Sequence, residues 1–301
     1  VRLAFFGTPQ FAVPALDALA ESHEIALVVA QPDKPAGRGM EMRPPAVAVR
    51  ARELGLPLLQ PLKVREAIDD VRRLAPEIAI VVAYGKILPA ALLEIPRHGF
   101  LNIHGSILPS WRGAAPIQRA IEQGDSETGV TIMRVDEQLD HGPMLAIAKT
   151  PIGPDEHTPS VAARLSALGA ATLLDVLARL DEIQETPQDH SRATLAPKIE
   201  KREGEIDWNA SAQSIYNKFR AFDPWPGVFT KDGLKLIDIQ LTTRQPATGN
   251  PATILALDEA VTIACGEGAL RIITMQRPGK PRAAAGDVAR GLGWRVGTQL
   301  P

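Results

Sequence analysis

The residues best placed to do chemistry lie in LNIHGSILPSWRGAAPIQ, positions 101–118. Asn102 and His104 stand two apart in a run of strand character that breaks at Pro109 and Gly113. On a strand that spacing puts both side chains on one face, about 6.5–7 Å apart along the chain. An amide donor and an imidazole at a strand's end can stabilise a developing oxyanion and move a proton. The same pair also fits a polar strand end whose Asn and His are merely hydrogen-bonded, so spacing alone leaves both readings open.

The elements that must position this pair follow from periodicity. Apolar runs at Arg2–Phe6, Ile25–Ala30, Glu77–Ala83 and Gly99–Ile103 read as strands. They alternate with helical patterns at about Phe11–Glu21, Pro45–Leu54, Val64–Leu74 and Leu88–Glu94. Such alternation predicts an α/β domain with a doubly wound, Rossmann-like open sheet, its working loops at the carboxyl ends of the strands. Gly7 in FFGTPQF lacks the second glycine of a dinucleotide turn and reads as a tight strand-to-helix turn. Ala115–Gln123 is expected to be a short helix, Glu127–Val135 and Pro143–Lys149 strands, and His157–Leu180 a long amphipathic helix packed back on the sheet.

Thr186–Glu203 is polar, holds two prolines and has no apolar period, which reads as a linker between residues 1–185 and 204–301. After it a helix near Ala210–Arg220 precedes short strands at Lys235–Leu241, Thr253–Ala256, Ala260–Cys265 and Ala269–Met275. Short strands at this spacing predict a small barrel. Between 271 and 295 stand Arg271, Arg277, Lys280, Arg282, Arg290 and Arg295 against Asp287 alone, which reads either as a solvated tail or, on a small barrel, as a surface for RNA phosphate.

Composition bounds the rest. A chain of 301 residues, 45% hydrophobic and 23% charged, is long enough for two domains of a globular protein. The net charge of −2 argues against a protein that simply coats nucleic acid but leaves room for a local basic surface, and no DNA partner is expected. Cys265 is the sole cysteine, so no intrachain disulfide forms and a zinc site built on cysteines is not expected. No uninterrupted apolar run reaches the roughly 18 residues of a membrane span. The chain opens directly on a strand, without a signal-peptide pattern, and the expected setting is the cytoplasm.

The central stretch resembles the 10-formyltetrahydrofolate-dependent formyltransferases, whose mark is Asn-x-His, then Ser-x-Leu-Pro, with a later Asp. Here these are Asn102, His104, Ser106, Leu108, Pro109 and Asp140, the last inside VDEQLDHGPML. Further segments are similar to the branch of that family that acts on methionyl-tRNA. They are FFGTPQFAVPAL, QPDKPAGRG, VVAYGKILP, SWRGAAPIQ, ETGVTIM and the late PWPG, in order from residue 5 to 227. The resemblance implies formyl transfer from 10-formyltetrahydrofolate to initiator methionyl-tRNA, with no metal, by a monomer. It assigns Asn102, His104 and Asp140 to catalysis, and Tyr84, Gly85, Leu88, Ser106, Ile107, Leu108 and Pro109 to the folate. It gives the basic loop's Lys34, Arg38 and Arg43, and Arg277, Lys280 and Arg282 of an OB-like C-terminal domain, to the tRNA. Three positions depart from the common pattern. Ile107 stands where Leu is usual, Ser110 where a basic residue is frequent, and His141, read as an exposed turn residue, where a small residue or Thr is usual. A sibling enzyme that formylates a nucleotide-sugar amine or glycinamide ribonucleotide would share the triad but not need the basic segments. An RNA-binding protein with a degenerate α/β domain is the other alternative, and it would not need the triad.

Overall fold

The computed structural model describes residues 1–36, 40–242 and 250–300, so Arg38 lies outside the described residues. The chain divides into two units. The first comprises Val1–Pro116, Glu127–Pro151 and Val161–Pro197; the second comprises Ile117–Ser126, Ile152–Ser160 and Lys198–Pro301.

Seven strands build the sheet of the first unit: β1 (Arg2–Gly7), β2 (Glu24–Val29), β3 (Leu58–Leu59), β4 (Ile78–Val82), β5 (Phe100–His104), β6 (Glu127–Arg134) and β7 (Met144–Pro151). Their order across the sheet is β7-β6-β5-β4-β1-β2-β3. β3, β2, β1, β4 and β5 run parallel, and the β6–β7 hairpin adds antiparallel to β5. The strands of the parallel part are nearly all apolar because helices, α1 (Val13–Ser22) and α2 (Ala46–Glu53) among them, cover both faces; α5 (Pro116–Gln123) lies almost wholly in the second unit. On one face Phe6, Val81, Tyr84 and Phe100 pack with Val71 of α3 (Ile68–Leu74) and Leu92 of α4 (Ala90–Leu93). On the other, α6 (Thr158–Ala178) crosses β5, with Val161, Leu165, Leu173 and Val176 wholly buried. Gly169 permits that approach, since a Cβ there would sit 2.6 Å from the Ile103 side chain. By length and composition α6 could cross a membrane, yet Arg164 and Asp175 interrupt it and its apolar stripe is core.

The strand order reverses direction between β1 and β4, the switch point at which open α/β sheets bind ligands beyond their carboxyl ends. Two features differ from the sequence reading. The segment read as a loop forms a short hairpin, Lys34–Ala36 against Glu41–Arg43, with Lys34 opposite Arg43. Of the segment read as a linker, Thr186–Pro197 belongs to the first unit: Thr186 bridges Met144, and Leu195–Ala196 pairs with Arg112–Gly113. Neither pairing leaves an apolar period in the sequence: Pro35 and Met42 are exposed, and of Leu195 and Ala196 only Ala196 is buried.

In the second unit α7 (Ala212–Ala221) packs on an antiparallel sheet of β8 (Val228–Phe229), β9 (Lys235–Leu241), β10 (Ile254–Leu257), β11 (Val261–Ala264), β12 (Ala269–Gln276) and β13 (Arg282–Ala284). The order is β8-β9-β12-β11-β10, with β13 also on β12. Among the described residues this path is open rather than closed into a barrel. α8 (Ala285–Gly291) buries Val288 and Ala289 in the same core, which includes Ile254, Ile263, Leu270 and Ile272.

Candidate active site

β5 ends one strand away from β4, whose carboxyl end lies at the switch point, so its last residues face the ligand-binding edge of the sheet. Alternation sends Leu101 and Ile103 into one core and leaves Asn102 and His104 together on the opposite face. His104 is 5% exposed. Its Nε2 donates to the Trp111 carbonyl at 2.9 Å, because a carbonyl can only accept. The other nitrogen, Nδ1, then faces Asp140 Oδ2 at 3.6 Å, close enough for charge to act but beyond a hydrogen bond.

Asp140 lies in the loop between β6 and β7 and reaches β5 across 38 residues of chain. Its backbone adopts φ 49°, a left-handed conformation that costs a non-glycine residue about 1–3 kcal/mol and persists only where the surroundings fix it. Oδ2 accepts from the Gly113 N–H at 2.8 Å, and Asn102 Nδ2 lies 3.5 Å from Oδ1. An amide nitrogen carries two hydrogens, so Asn102 can face Asp140 with one and offer the other to an oxyanion.

The 106–109 turn is built from the backbone. Thr131, fully buried on β6, donates to the Ser106 carbonyl at 2.7 Å and accepts from the Leu108 N–H at 3.1 Å. Ser106 Oγ donates to the Ser110 carbonyl at 2.6 Å, and the Leu108–Pro109 peptide is cis. Leu108 is buried, whereas Ile107 and Pro109 are half-buried. Beyond β4, the Tyr84 ring is core: it meets Phe6 edge-on at 5.5 Å, and burial pushes its hydroxyl pKa up. Its carbonyl accepts from Thr8 Oγ1 at 3.1 Å and Gln31 Nε2 at 3.0 Å, tying the ends of β1, β2 and β4 together. Leu88 is core as well. At Gly85, with φ 78°, the described residues other than its two chain neighbours place no atom within 4 Å of where a Cβ would stand, and Ile87, two residues on, is 80% exposed.

The sequence reading did not single out Thr8, Gln31, Arg112, Thr131 or Gln188. Arg112 is 8% exposed and donates through Nε and Nη2 to Gln188 Oε1; Gln188 Nε2 donates to the carbonyls of Asp140 and Gly142. Only Arg112 left a signal, a charged residue between Trp111 and Gly113 inside the motif. His141 is half-buried rather than an exposed turn residue, bonded to Asp136 at 2.7 Å and stacked on His190 at 4.0 Å. Lys34, Arg43, Arg277, Lys280 and Arg282 are all exposed and lie outside this cluster. Among the described residues no group of three or more His, Cys, Asp or Glu side chains is placed to hold a metal ion.

Comparison with known proteins fits this geometry. Residues 1–177 match the formyl transferase family and 198–293 match the formyl transferase C-terminal domain. The chain is 46% identical to methionyl-tRNA formyltransferase of Thermus thermophilus, over 100% of this chain and 99% of that one. It is also 46% identical to that of Roseobacter denitrificans, over 99% and 98%. In fold it resembles an N-formyltransferase from Helicobacter canadensis solved with folinic acid and dTDP-3-aminofucose, with a TM-score of 0.71 at 17% identity over 90% and 98% of the two chains. It also resembles HypX from Aquifex aeolicus in complex with tetrahydrofolic acid, with a TM-score of 0.63 at 20% identity, covering 97% of this chain and 47% of that one. At the identity and coverage of the Thermus and Roseobacter relatives, the chain belongs to the methionyl-tRNA formyltransferases of the formyl transferase family.

Proposed function

We infer that this protein transfers the formyl group of 10-formyltetrahydrofolate to the α-amine of methionine carried on initiator tRNA, for translation initiation. The observation that carries the chemistry is the meeting of Asn102, His104 and Asp140 at the carboxyl end of β5. The family and its full-length relatives carry the substrate.

The attacking amine must be neutral, and free α-amines titrate near 8, so a useful fraction is ready at pH 7. Asn102 offers an N–H to the oxygen that gains charge as the formyl carbon becomes tetrahedral. His104 has Nε2 committed to Trp111, so a proton is handled at Nδ1, where the Asp140 carboxylate stabilises the imidazolium. Burial strengthens both effects, because little water competes. Residues around Gly85 and the Ser106–Pro109 turn form the folate site. Gly85 supplies open backbone, Ile107 and Pro109 supply partly open apolar surface, and Tyr84 and Leu88 act from behind as core supports.

The tRNA reading rests on exposed cations. Lys34 and Arg43 stand directly opposite each other on their hairpin, and like charges so placed destabilise it unless an anion sits between them. Arg277, Lys280 and Arg282 crowd the turn between β12 and β13. In this reading residues 1–185, with the strap Thr186–Pro197 that pairs with Arg112–Gly113, carry the chemistry. Residues 204–301, as an OB-like domain, hold the RNA, and the protein works as a cytoplasmic monomer. The test is formyl transfer from 10-formyltetrahydrofolate to methionyl-tRNA, uncharged tRNA and a dTDP-aminosugar. Product with methionyl-tRNA alone supports the reading. Product with the aminosugar alone assigns the chain to sugar formylation.

A further inference from the structure

Asp140 is held at both ends by two adjacent residues. The Gly113 N–H donates to its carboxylate at 2.8 Å. From the preceding residue, Arg112, a second connection runs through side chains to the Asp140 backbone. Arg112 Nε and Nη2 donate to Gln188 Oε1 at 3.1 and 2.6 Å, and Gln188 Nε2 donates to the Asp140 carbonyl at 3.0 Å and the Gly142 carbonyl at 2.7 Å. Gln188 is 5% exposed, so its amide is fully committed away from water. Arg112 is fixed in turn. Nη2 also donates to His190 Nδ1 at 2.8 Å, and the His190 ring stacks face to face on His141, the neighbour of Asp140. All of these residues fall in the first unit.

A left-handed aspartate needs an external hold. A glutamine spanning two carbonyls of one loop, with its oxygen clamped by a buried guanidinium, supplies it. We propose that Gln188, oriented by Arg112, is a positioning residue of the formyl transfer: it sets the Asp140 backbone so that the carboxylate lies between Asn102 and His104 Nδ1. Neither residue touches the reacting atoms. The proposal rests on the reading of Asp140 as the partner of His104, and it gives the strap from Thr186 to Pro197 a role in turnover.

The experiment measures kcat and both KM values for Gln188→Met, Gln188→Glu, Asp140→Asn and the Gln188→Met/Asp140→Asn double variant. Glutamate keeps an acceptor for Arg112 but loses the N–H donors to the loop; its ion pair with Arg112 keeps the test available if the methionine variant does not fold. Each Gln188 variant should lower kcat about 10- to 100-fold, the cost of a catalytic group misplaced by about 1 Å. Both KM values should stay within about threefold, since the substrates do not contact Gln188, whereas the thermal midpoint should fall, most in Gln188→Met, which leaves two carbonyls and the Arg112 guanidinium without their buried partner. In the Asp140→Asn background, removal of Gln188 should cost less than about threefold more, because residues that act through one another are not additive. Wild-type kcat in Gln188→Glu overturns the proposal. A strongly lowered kcat in Asp140→Asn with a full, multiplicative further loss from Gln188→Met also overturns it, while leaving the Asp140 reading intact. Wild-type kcat in Asp140→Asn overturns that reading and the proposal together.

Discussion

The end of β5 and the two basic surfaces are both polar, yet they are built in opposite ways. His104 is 5% exposed, the Asp140 side chain is 11% exposed, and their shortest hydrogen bonds go to backbone groups, the Trp111 carbonyl and the Gly113 N–H. Lys34, Arg43, Arg277, Lys280 and Arg282 point into solvent, and among the described residues none has an acidic partner. A site that must hold a proton and a partial charge in place needs burial and fixed dipoles, since reorganisation would cost rate. A surface that neutralises phosphate needs free cations, and any internal partner would have to be displaced first. The same contrast holds between paired and unpaired arginines. Arg119 is engaged by Glu122 at 2.8 Å and Glu203 at 2.7 Å and belongs to the structure of the second unit; Arg282 is exposed and has no acidic partner among the described residues.

The largest expected effect lies at the buried site. His104→Ala and Asp140→Asn should each lower kcat about 10²–10⁴-fold, with the double variant little worse, because the two act as a unit. Independent, multiplicative losses in single-turnover assays would break the pairing. Asn102→Ala should raise the barrier by about 2.7–4 kcal/mol as the loss of an oxyanion donor. A loss under tenfold in kcat removes Asn102 from that role.

Next comes support without chemistry. Thr131→Val leaves the Ser106 carbonyl and the Leu108 N–H without their buried hydroxyl and should cost about 1–3 kcal/mol in denaturant unfolding. An unchanged midpoint would mean that water enters the turn and the burial drawn here is wrong.

The basic surfaces should respond to salt instead of to chemistry. Lys280→Ala/Arg282→Ala should leave kcat at saturation unchanged and flatten the slope of log affinity for tRNA against log salt by about 1 per charge removed. Equal slopes in wild type and variant would leave those cations without a phosphate.

The smallest effect tests the paired arginine. The bond from Arg119 holds the Glu203 carboxyl below the usual glutamate value of 4.5. A depressed folded value means stabilisation is full above 4.5 and is lost as pH falls through the lower folded value. Glu203→Gln should therefore remove about 1 kcal/mol or less at neutral pH and flatten the acid limb of the unfolding curve, with tRNA affinity unchanged. A changed salt slope in this variant would erase the distinction between paired and bare arginines.

Local pattern determined a good deal of this protein. Strand and helix periods locate β1, β2, β4, β5, α6 and α7 to within a few residues, because burial on one or two faces writes itself into the sequence at period 2 or 3.6. Alternation on β5 likewise puts Asn102 and His104 on one face. Asp140 was legible only through resemblance, since an aspartate two residues before a glycine is an ordinary turn residue until the β6–β7 loop folds over β5. The Lys34–Arg43 hairpin and the strap to Pro197 leave no apolar period, and Tyr84 reads the same whether its ring points into the core or out of it. Arg112 and Gln188 stand 76 residues apart, and their bond has no local signature at all. Local burial is set by neighbours along the chain and can be read there; the contacts that hold Asp140 join distant segments, so only the folded chain decides them.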